Sequence, residues 1–377
     1  MIRRRAFLFP YTLNNCEIIK FKDLLVNMDI VGVDSLTKEL RGKDVSYIYN
    51  GSNQGINIGD ETIDYDVLLL GDGSRIGDEF DKIYEYAERA AQKGKDIFIL
   101  YILTRKQREK FEKLCKDNNV GCRIFSGLEV PDKIMNCEYE ILNDISIPVI
   151  IVSGVAENTR KFEIQLFLNK YFKSAGYNVV QIGSKNFSEL FGFYSFPQFM
   201  FCDISEAKKI ICFNELCKGL EYQEKPDLFI IGVPGSLIPY NNYFTNKFGI
   251  FSFEIGKAIK ADAVVMALDN APYEVEGIAN INNICRVYFG NEATVFSISN
   301  FRIDVEKSIQ EKTLGYIISN KENVDKNVKR LKERVKIPVF NLLDYIQLQK
   351  LAEYIENDLS DMDIKLLWVY IFDKYFY

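Results

Sequence analysis

The stretch PVIIVSGVAENTRKFEIQLFLNKYF, residues 148–172, decides the fold. Its apolar, β-branched run Val149–Val152 is typical of a buried strand in a parallel sheet. Gly154 ends the run, a polar loop follows at 155–160, and apolar residues then recur at helical spacing from Ile164 to Phe172. This order of strand, glycine, polar loop and helix predicts one βα step of an α/β domain.

The same order is that of a phosphate-binding loop, in which backbone N–H groups and a helix N-terminus face an anion. The full pattern G-x-x-x-x-G-K-[ST] is not met. When the pattern is counted from Gly154, Thr159 occupies the position of the second glycine, Arg160 that of the lysine and Lys161 that of the Ser or Thr. One additional loop residue aligns Lys161 with the lysine and leaves Phe162 where a hydroxyl would hold Mg²⁺. Spacing alone leaves two interpretations open: a degenerate phosphate loop and an ordinary βα turn.

The composition bounds the function. A chain of 377 residues predicts two or three domains, and a net charge of −6 argues against a nucleic-acid-binding surface. Histidine is absent, which excludes Ser-His-Asp and Cys-His catalysis and H-E-x-x-H zinc sites within this chain. The eight cysteines form no C-x-x-C pair, so we expect no metal site and reduced thiols in a cytoplasmic protein. No apolar run reaches the roughly 18 residues of a membrane span. Arg4-Arg5 match the core of a twin-arginine export signal, but the apolar run that follows stops at Pro10, so we expect no export signal here.

Strands that alternate with helices predict parallel sheets with helices on their faces. We place one α/β domain at residues 1–145 and a second at 146–377, which closes with a βαβα extension. The predicted strands include Ala6–Phe9, Ile97–Ile102, Cys122–Phe125, Val179–Ile182, Ala263–Leu268, Val287–Phe289, Thr294–Ile298, Tyr316–Ile318 and Ile337–Phe340. The predicted helices include Phe80–Ala91, Lys106–Asn118, Ser205–Leu220, Ser252–Lys260, Val324–Arg334 and Leu343–Asn357.

A second stretch suggests binding chemistry. Residues 227–236, DLFIIGVPGS, predict a buried strand that runs into a glycine–proline turn. The loop that follows groups Asn241, Asn242, Asn246 and Lys247. Amide side chains donate and accept hydrogen bonds and a lysine adds a point charge, so this set suits a polar ligand or a phosphate. The alternative is a turn-rich loop whose asparagines cap the helix at 252–260.

With GVAENTRKFEIQL at 154–166 and GVPGSLIPYNNYFTNKFG at 232–249, the chain resembles the clostridial peptide maturation system proteins. These are encoded beside small peptide precursors in natural-product clusters. The layout also looks like a wider group of α/β proteins, in which a Rossmann-like N-terminal domain precedes a domain similar to P-loop NTPases. The resemblance implies that fold class and a cytoplasmic accessory role in maturation of a ribosomal, bacteriocin-like peptide.

The resemblance also implies a nucleotide or other phosphate-bearing ligand, with ATP or GTP and Mg²⁺ as the expected cofactors. Lys161, or Arg160 as an alternative, would neutralise the charge of the phosphate. The backbone amides of 156–159 would donate hydrogen bonds to it. Glu157 or Asp227 would orient a metal or water. No catalytic residue is assigned. The expected binding residues are Gly154, Glu157, Asn158, Thr159, Arg160, Lys161, Gly235, Asn241, Asn242, Asn246 and Lys247.

A second hypothesis is a non-catalytic adaptor that holds the precursor peptide or a modifying enzyme. The incomplete phosphate loop favours it, and the aromatic stretch Phe191–Phe201 would then offer a docking surface or simply pack between layers. A carboxylate-amine ligase-like activity is a third possibility. The acidic loop with Asp269, Glu274 and Glu276 is expected to be solvated. Enzymatic activity and oligomeric state are left open.

Overall fold

The computed structural model describes residues 3–60, 62–71, 77–136, 141–312 and 314–376. The chain forms two compact units: Met1–Leu128 with Lys185–Gln198, and Glu129–Ser184 with Phe199–Tyr377. The predicted division at residue 145 treats each domain as one continuous segment. In the structure, by contrast, residues 185–198 pack with the first unit although the chain has already entered the second.

The first unit is a five-stranded parallel sheet with helices between its strands. Its strand order is β2-β1-β3-β4-β5. Buried apolar side chains of the sheet, among them Phe7, Leu68 and Ile97, pack on Ile83 and Phe111 of the helices and form its core. The elements are β1 Arg4–Phe9, α1 Glu17–Lys20, β2 Met28–Val33, β3 Val67–Leu70, α2 Gly77–Gln92, β4 Asp96–Ile99, α3 Arg105–Asp117 and β5 Cys122–Ile124.

The second unit holds a six-stranded parallel sheet. Its elements are α4 Asp132–Met135, β6 Val149–Gly154, α5 Lys161–Ser174, β7 Val179–Ile182, α6 Glu206–Glu224, β8 Leu228–Gly232, α7 Ile250–Ala258, β9 Ala263–Leu268, α8 Val275–Phe289, β10 Val295–Ile298, β11 Phe301–Asp304, α9 Val305–Glu311, β12 Gly315–Ile318, α10 Lys321–Lys332, β13 Val339–Asn341 and α11 Tyr345–Phe376. The two parallel sheets with intervening helices confirm the predicted α/β fold class. No helix within the described ranges is long and apolar enough to cross a bilayer.

The order of the second sheet, β13-β10-β9-β6-β8-β7, makes β6 a central strand. β8 pairs with one edge of β6 and β9 with the other, and all six residues of β6 are buried, as is typical of a parallel sheet covered on both faces. The chain leaves β6 through α5 toward β7 on one side, whereas it leaves β9 through α8 toward β10 on the other. Neighbouring strands whose connections diverge form a crevice at their carboxyl ends, which is where open α/β sheets bind ligands. The loop at 155–160 lies at this switch point.

Two of the strand predictions need correction. Val287–Phe289 is the last turn of α8, because Ile278, Ile281 and Cys285 continue its apolar face at helical spacing. Tyr316–Ile318 is a strand, but it pairs antiparallel with β11 in a separate two-stranded sheet. It therefore does not form a βαβ unit with β13, which instead joins the large sheet beside β10.

Candidate functional site

The loop after β6 folds back tightly on its own strand. The N–H of Val155 donates to Ala267 O of β9 at 3.0 Å, and Thr159 Oγ1 donates to Ala156 O at 3.1 Å. A Cβ on Gly154 would lie only 2.2 Å from Thr159 Oγ1, so only glycine fits there. These contacts leave Thr159 buried and explain why the sequence has a glycine at the end of β6.

Lys161 is the first residue of α5 and is only 4% exposed. Its ammonium group donates to Ala156 O at 3.0 Å and to Glu157 O at 3.3 Å, both in its own loop. It also donates to Gly235 O in the loop after β8. A lysine ammonium has three donors, so Lys161 ties the two loops together at the carboxyl edge of the sheet.

Arg160 occupies the N-cap position of α5 in a left-handed conformation, with φ 58° and ψ 29°. In the phosphate-loop pattern a glycine directly precedes the lysine, and glycine adopts positive φ without steric cost. The backbone therefore agrees with the alignment that has one additional loop residue and puts Lys161 at the lysine. The Arg160 side chain is buried, with Nε 3.5 Å from Glu163 Oε1 and its guanidinium 4.6 Å from the centre of the Phe301 ring.

The loop after β8 converges on the loop after β6. The N–H of Leu237 donates to Gly154 O at 2.7 Å, in addition to the contact between Gly235 and Lys161. Ser252 of α7 donates to Ser236 O at 2.9 Å and so anchors this second loop from its other end. The backbones of the two predicted stretches therefore meet at one edge of the sheet.

The four polar residues predicted in the second loop, unlike its backbone, are not all directed at the first loop. Asn241 Oδ1 accepts from the N–H groups of Tyr243 and Phe244, at 2.8 and 2.9 Å, and so closes a local turn. Lys247 is exposed, with Nζ 3.9 Å from Glu157 Oε1 of the first loop, and Asn158 of that loop is half-buried. Asn242 is exposed, and the side chain of Asn246 lies outside the described part of the molecule. No asparagine caps α7 among the described residues, because its N-cap is Gly249.

The sequence interpretation missed Asp269, which directly follows β9 beside the first loop. It is 2% exposed rather than solvated, and Tyr273 donates to its Oδ1. Its Oδ2 is buried without a hydrogen bond in the described part of the chain. Burial raises the pKa of Asp269 above its ordinary value, an effect that the Tyr273 hydrogen bond partly opposes. Burial also raises the pKa of Tyr240 in the second loop, and the charge of Asp269 raises it further.

The residues that the structure describes do not build an Mg²⁺ site. Phe162, at the position of the metal-binding hydroxyl, is buried. No group of three or more carboxylate or cysteine side chains converges among the described residues. Asp227, proposed to orient a metal or water, is wrongly placed, because it precedes β8 and its Oδ2 accepts from the N–H of Asn178 at the amino edge of the sheet. Cations at this site would therefore depend on the ligand's own oxygens and water.

Comparison with solved structures supports the fold. A DUF1611 family protein from Anabaena variabilis ATCC 29413 superposes with a TM-score of 0.61 at 11% identity, over 95% of this chain and 100% of that one. The signal recognition particle receptor FtsY from Elizabethkingia anophelis gives a TM-score of 0.34 at 14% identity, over 76% of this chain and 88% of that one. A complex of SsGBP with GDP gives a TM-score of 0.33 at 12% identity, over 95% of this chain and 99% of that one.

At such identities the first of these matches shows a shared fold and nothing about activity, and the other two TM-scores are too low to carry an argument. No protein-family model matches the chain, and no curated protein matches it. The resemblance to peptide maturation proteins gains no support from these comparisons and stays a prediction.

Proposed function

We propose that this chain binds a nucleotide, or another phosphate-bearing ligand, at the switch-point crevice of its six-stranded sheet. The observation that carries the proposal is Lys161, a buried ammonium at the first residue of a helix, bonded to carbonyl oxygens of both converging loops. A phosphate oxygen is a stronger partner for an ammonium than a neutral carbonyl oxygen. A ligand phosphate would therefore take over donors that the carbonyls now occupy.

Backbone donors in the first loop support the same ligand class. The N–H groups of Ala156, Glu157 and Thr159 make no hydrogen bond within the described part of the chain. Ala156 and Thr159 are each 1% exposed, and buried backbone N–H groups nearly always have a partner. With the N-terminus of the 14-residue helix α5 directly behind them, these donors suit an anion.

The proposal is for binding and includes no hydrolytic step. Phe162 cannot supply the hydroxyl that holds Mg²⁺ in P-loop NTPases, so we derive no reaction through a metal. ATP or GTP, carrying Mg²⁺ on its own phosphates, is the proposed ligand. An accessory role in cytoplasmic maturation of a ribosomal peptide, alongside the precursor or a modifying enzyme, is the context that the sequence resemblance implies.

Calorimetric titration of the full chain with ATP and with GTP, each with and without Mg²⁺, tests the proposal. We expect Lys161→Ala and Lys161→Met to weaken binding by about tenfold or more, since a charge-assisted hydrogen bond contributes about 1.5–3 kcal/mol. Lys170→Ala is the matched control, because Lys170 lies on the same helix with an exposed side chain. Circular dichroism checks that each variant is folded. Absence of heat with ATP, GTP and inorganic pyrophosphate would refute the proposal.

The adaptor remains a second candidate. Phe162 lacks the hydroxyl of a phosphate loop, and Lys161 already donates to three carbonyl oxygens, so the loop could serve only to stabilise the edge of the sheet. The aromatic stretch 191–201 mainly packs in the interior, however, which is the other interpretation that the sequence left open. Phe191, Phe193, Phe196 and Phe199 are all at least nine-tenths buried, Tyr194 is half-buried and Phe201 is exposed. The adaptor hypothesis predicts binding of a labelled precursor peptide, measured by fluorescence anisotropy, that neither nucleotide nor Lys161→Met alters. A nucleotide-dependent change in that binding would contradict it.

A further inference from the structure

We propose that the first unit carries a separate ligand site, a cleft beside α2 that accepts a small, planar, negatively charged molecule such as an aromatic carboxylate. The cleft has a volume of about 270 Å³. That is close to the lower end of the range for small-molecule sites, roughly 300–1,000 Å³. It lies between the C-terminal half of α2, the segment 62–65 before β3, and Phe7 of β1.

The wall of the cleft is aromatic and fixed in place. The ring of Phe7 stacks on Tyr65 at 5.1 Å and on Tyr86 at 6.3 Å between centres. Phe7 is buried, and its ring lies so close over Gly32 of β2 that a Cβ there would be 2.8 Å from Phe7 Cε2. Tyr65 and Tyr86 are half-buried, so they border the cleft with partly accessible rings. Tyr86 also stacks on Phe9 at 3.9 Å, and Lys95 Nζ lies 5.5 Å from the centre of the Tyr65 ring, so a planar ligand would meet the accessible edges of these rings. Edge-to-face contact is one of the two arrangements that aromatic pairs favour.

Cationic side chains also border the cleft. Among the described residues, Arg89, Lys93 and Lys95 line it together with one carboxylate, that of Asp64. Lys95 Nζ is 2.7 Å from Asp64 Oδ1, and Arg5 Nη1 is 3.9 Å from Asp64 Oδ2, so this carboxylate is already neutralised. The side chains of Arg89 and Lys93 have no ion pair or hydrogen bond with the described residues. The cleft is therefore bordered by two positive charges that form no ion pair within 4 Å with the described residues.

The placement of Arg89 favours a carboxylate beside a ring. Its guanidinium lies 5.2 Å from the centre of the Tyr86 ring, a cation–π contact that holds the group against the aromatic wall. A guanidinium in this position still offers a fork of N–H donors that matches a carboxylate. Basic residues in the last turn of a helix also stabilise its dipole, which accounts for the charges but not for the aromatic cleft between them.

Three probes test the assignment with the full chain, by calorimetry at concentrations up to about 1 mM. Naphthalene-1-carboxylate has both ring and charge, naphthalene-1-methanol has only the ring, and cyclohexanecarboxylate has only the charge. We expect the first to bind and the other two to bind about tenfold more weakly or not at all, because each lacks one of the two interactions. Failure of naphthalene-1-carboxylate to bind, or equal binding of naphthalene-1-methanol, would overturn the proposal.

Variants then locate the binding. Arg89→Gln combined with Lys93→Gln is expected to lower affinity for naphthalene-1-carboxylate about tenfold. Lys82→Gln, the same change on the same helix outside the cleft, should leave affinity within about twofold. Equal affinity in the double variant and the native chain would refute the site. Lys161→Met should have no effect, so this site and the nucleotide site can fail independently.

Discussion

Replacing Arg160 by glycine sets two opposing effects against each other at the candidate site. Arg160 has φ 58°, a conformation that costs a residue with a Cβ about 1–2 kcal/mol and that glycine adopts freely. Glycine also has more conformational freedom in the unfolded chain, which lowers the free energy of unfolding by about 0.5–1 kcal/mol. The same change removes a charged partner of Glu163, whose side chain is 5% exposed. An uncompensated buried charge costs about 3–5 kcal/mol. We therefore expect Arg160→Gly to lower the free energy of unfolding by about 1.5–5 kcal/mol.

A double-mutant cycle with Glu163→Gln separates these effects. The double variant has neither buried charge, so it should be no less stable than Arg160→Gly, with a coupling energy of about 2–3 kcal/mol. Urea unfolding measures the changes, and hydrogen exchange of peptides from α5 assigns the transition to the second unit, since a chain with two compact units need not unfold in one step.

Lys225→Gly is the matched control. Lys225 also has a positive φ, of 45°, but it is exposed at the C-terminus of α6. Glycine there should stabilise by about 0–1.5 kcal/mol, because the same relief of strain less the same chain entropy applies and no buried ion pair is lost. Additive costs for Arg160→Gly and Glu163→Gln would refute the coupling. An Arg160→Gly variant more stable than the native chain would show that backbone strain outweighs the ion pair.

Three other predictions concern buried groups in the second unit. Burial raises the pKa of Glu254 from 4.5 to about 7, so its protonated form stabilises the fold at low pH. That stability should fall by about 3 kcal/mol between pH 4.5 and 8 in the native chain but not in Glu254→Gln, as urea unfolding at several pH values would show. The pKa of Asp269 is also raised above its ordinary value of 3.8, so its ionisation should likewise lower the stability of the fold as the pH rises above 3.8. Asp269→Asn removes this ionisation, so the stability of the variant should depend less on pH in that range. Gly154→Ala should lower the melting temperature, because its Cβ would meet Thr159 Oγ1 at 2.2 Å, whereas Gly219→Ala, with open space around it inside α6, should raise it.

Strands β1, β6, β7 and β8 could be predicted because their apolar runs are short and end at or directly before glycine or proline. β2 and β11 were not predicted. The same rule failed at Val287–Phe289, since a three-residue apolar run does not distinguish a strand from the end of an amphipathic helix. It also cannot give the pairing partner, and so Tyr316–Ile318 was assigned to a βαβ unit rather than to an antiparallel pair. Periodicity reports which residues are buried, whereas strand order depends on contacts between distant segments.

The backbone of the candidate site could be predicted from the sequence. A glycine that ends a buried strand before a polar loop and a helix gives the order β6, loop and α5, and Lys161 is the first residue of α5. Whether Lys161 binds a ligand stays a prediction. Asp269 was missed because acidic loop residues are usually solvated, and its burial arises from the Tyr273 contact and the neighbouring strands. The asparagines of the second loop were identified by residue type alone, which does not separate Asn241, a turn former, from a ligand contact.

The excursion of residues 185–198 into the first unit has a consequence for anyone who wishes to express the halves separately. Lys185 Nζ donates to Asn14 O at 3.0 Å, and the N–H of Val26 donates to Leu190 O at 2.8 Å. A truncation at residue 145 severs these contacts and leaves the buried Phe187 and Leu190 on the wrong fragment, exposed to water. Each fragment would then expose apolar surface that is buried in the intact chain. We therefore expect the two fragments to fold when they are coexpressed rather than when either is expressed alone.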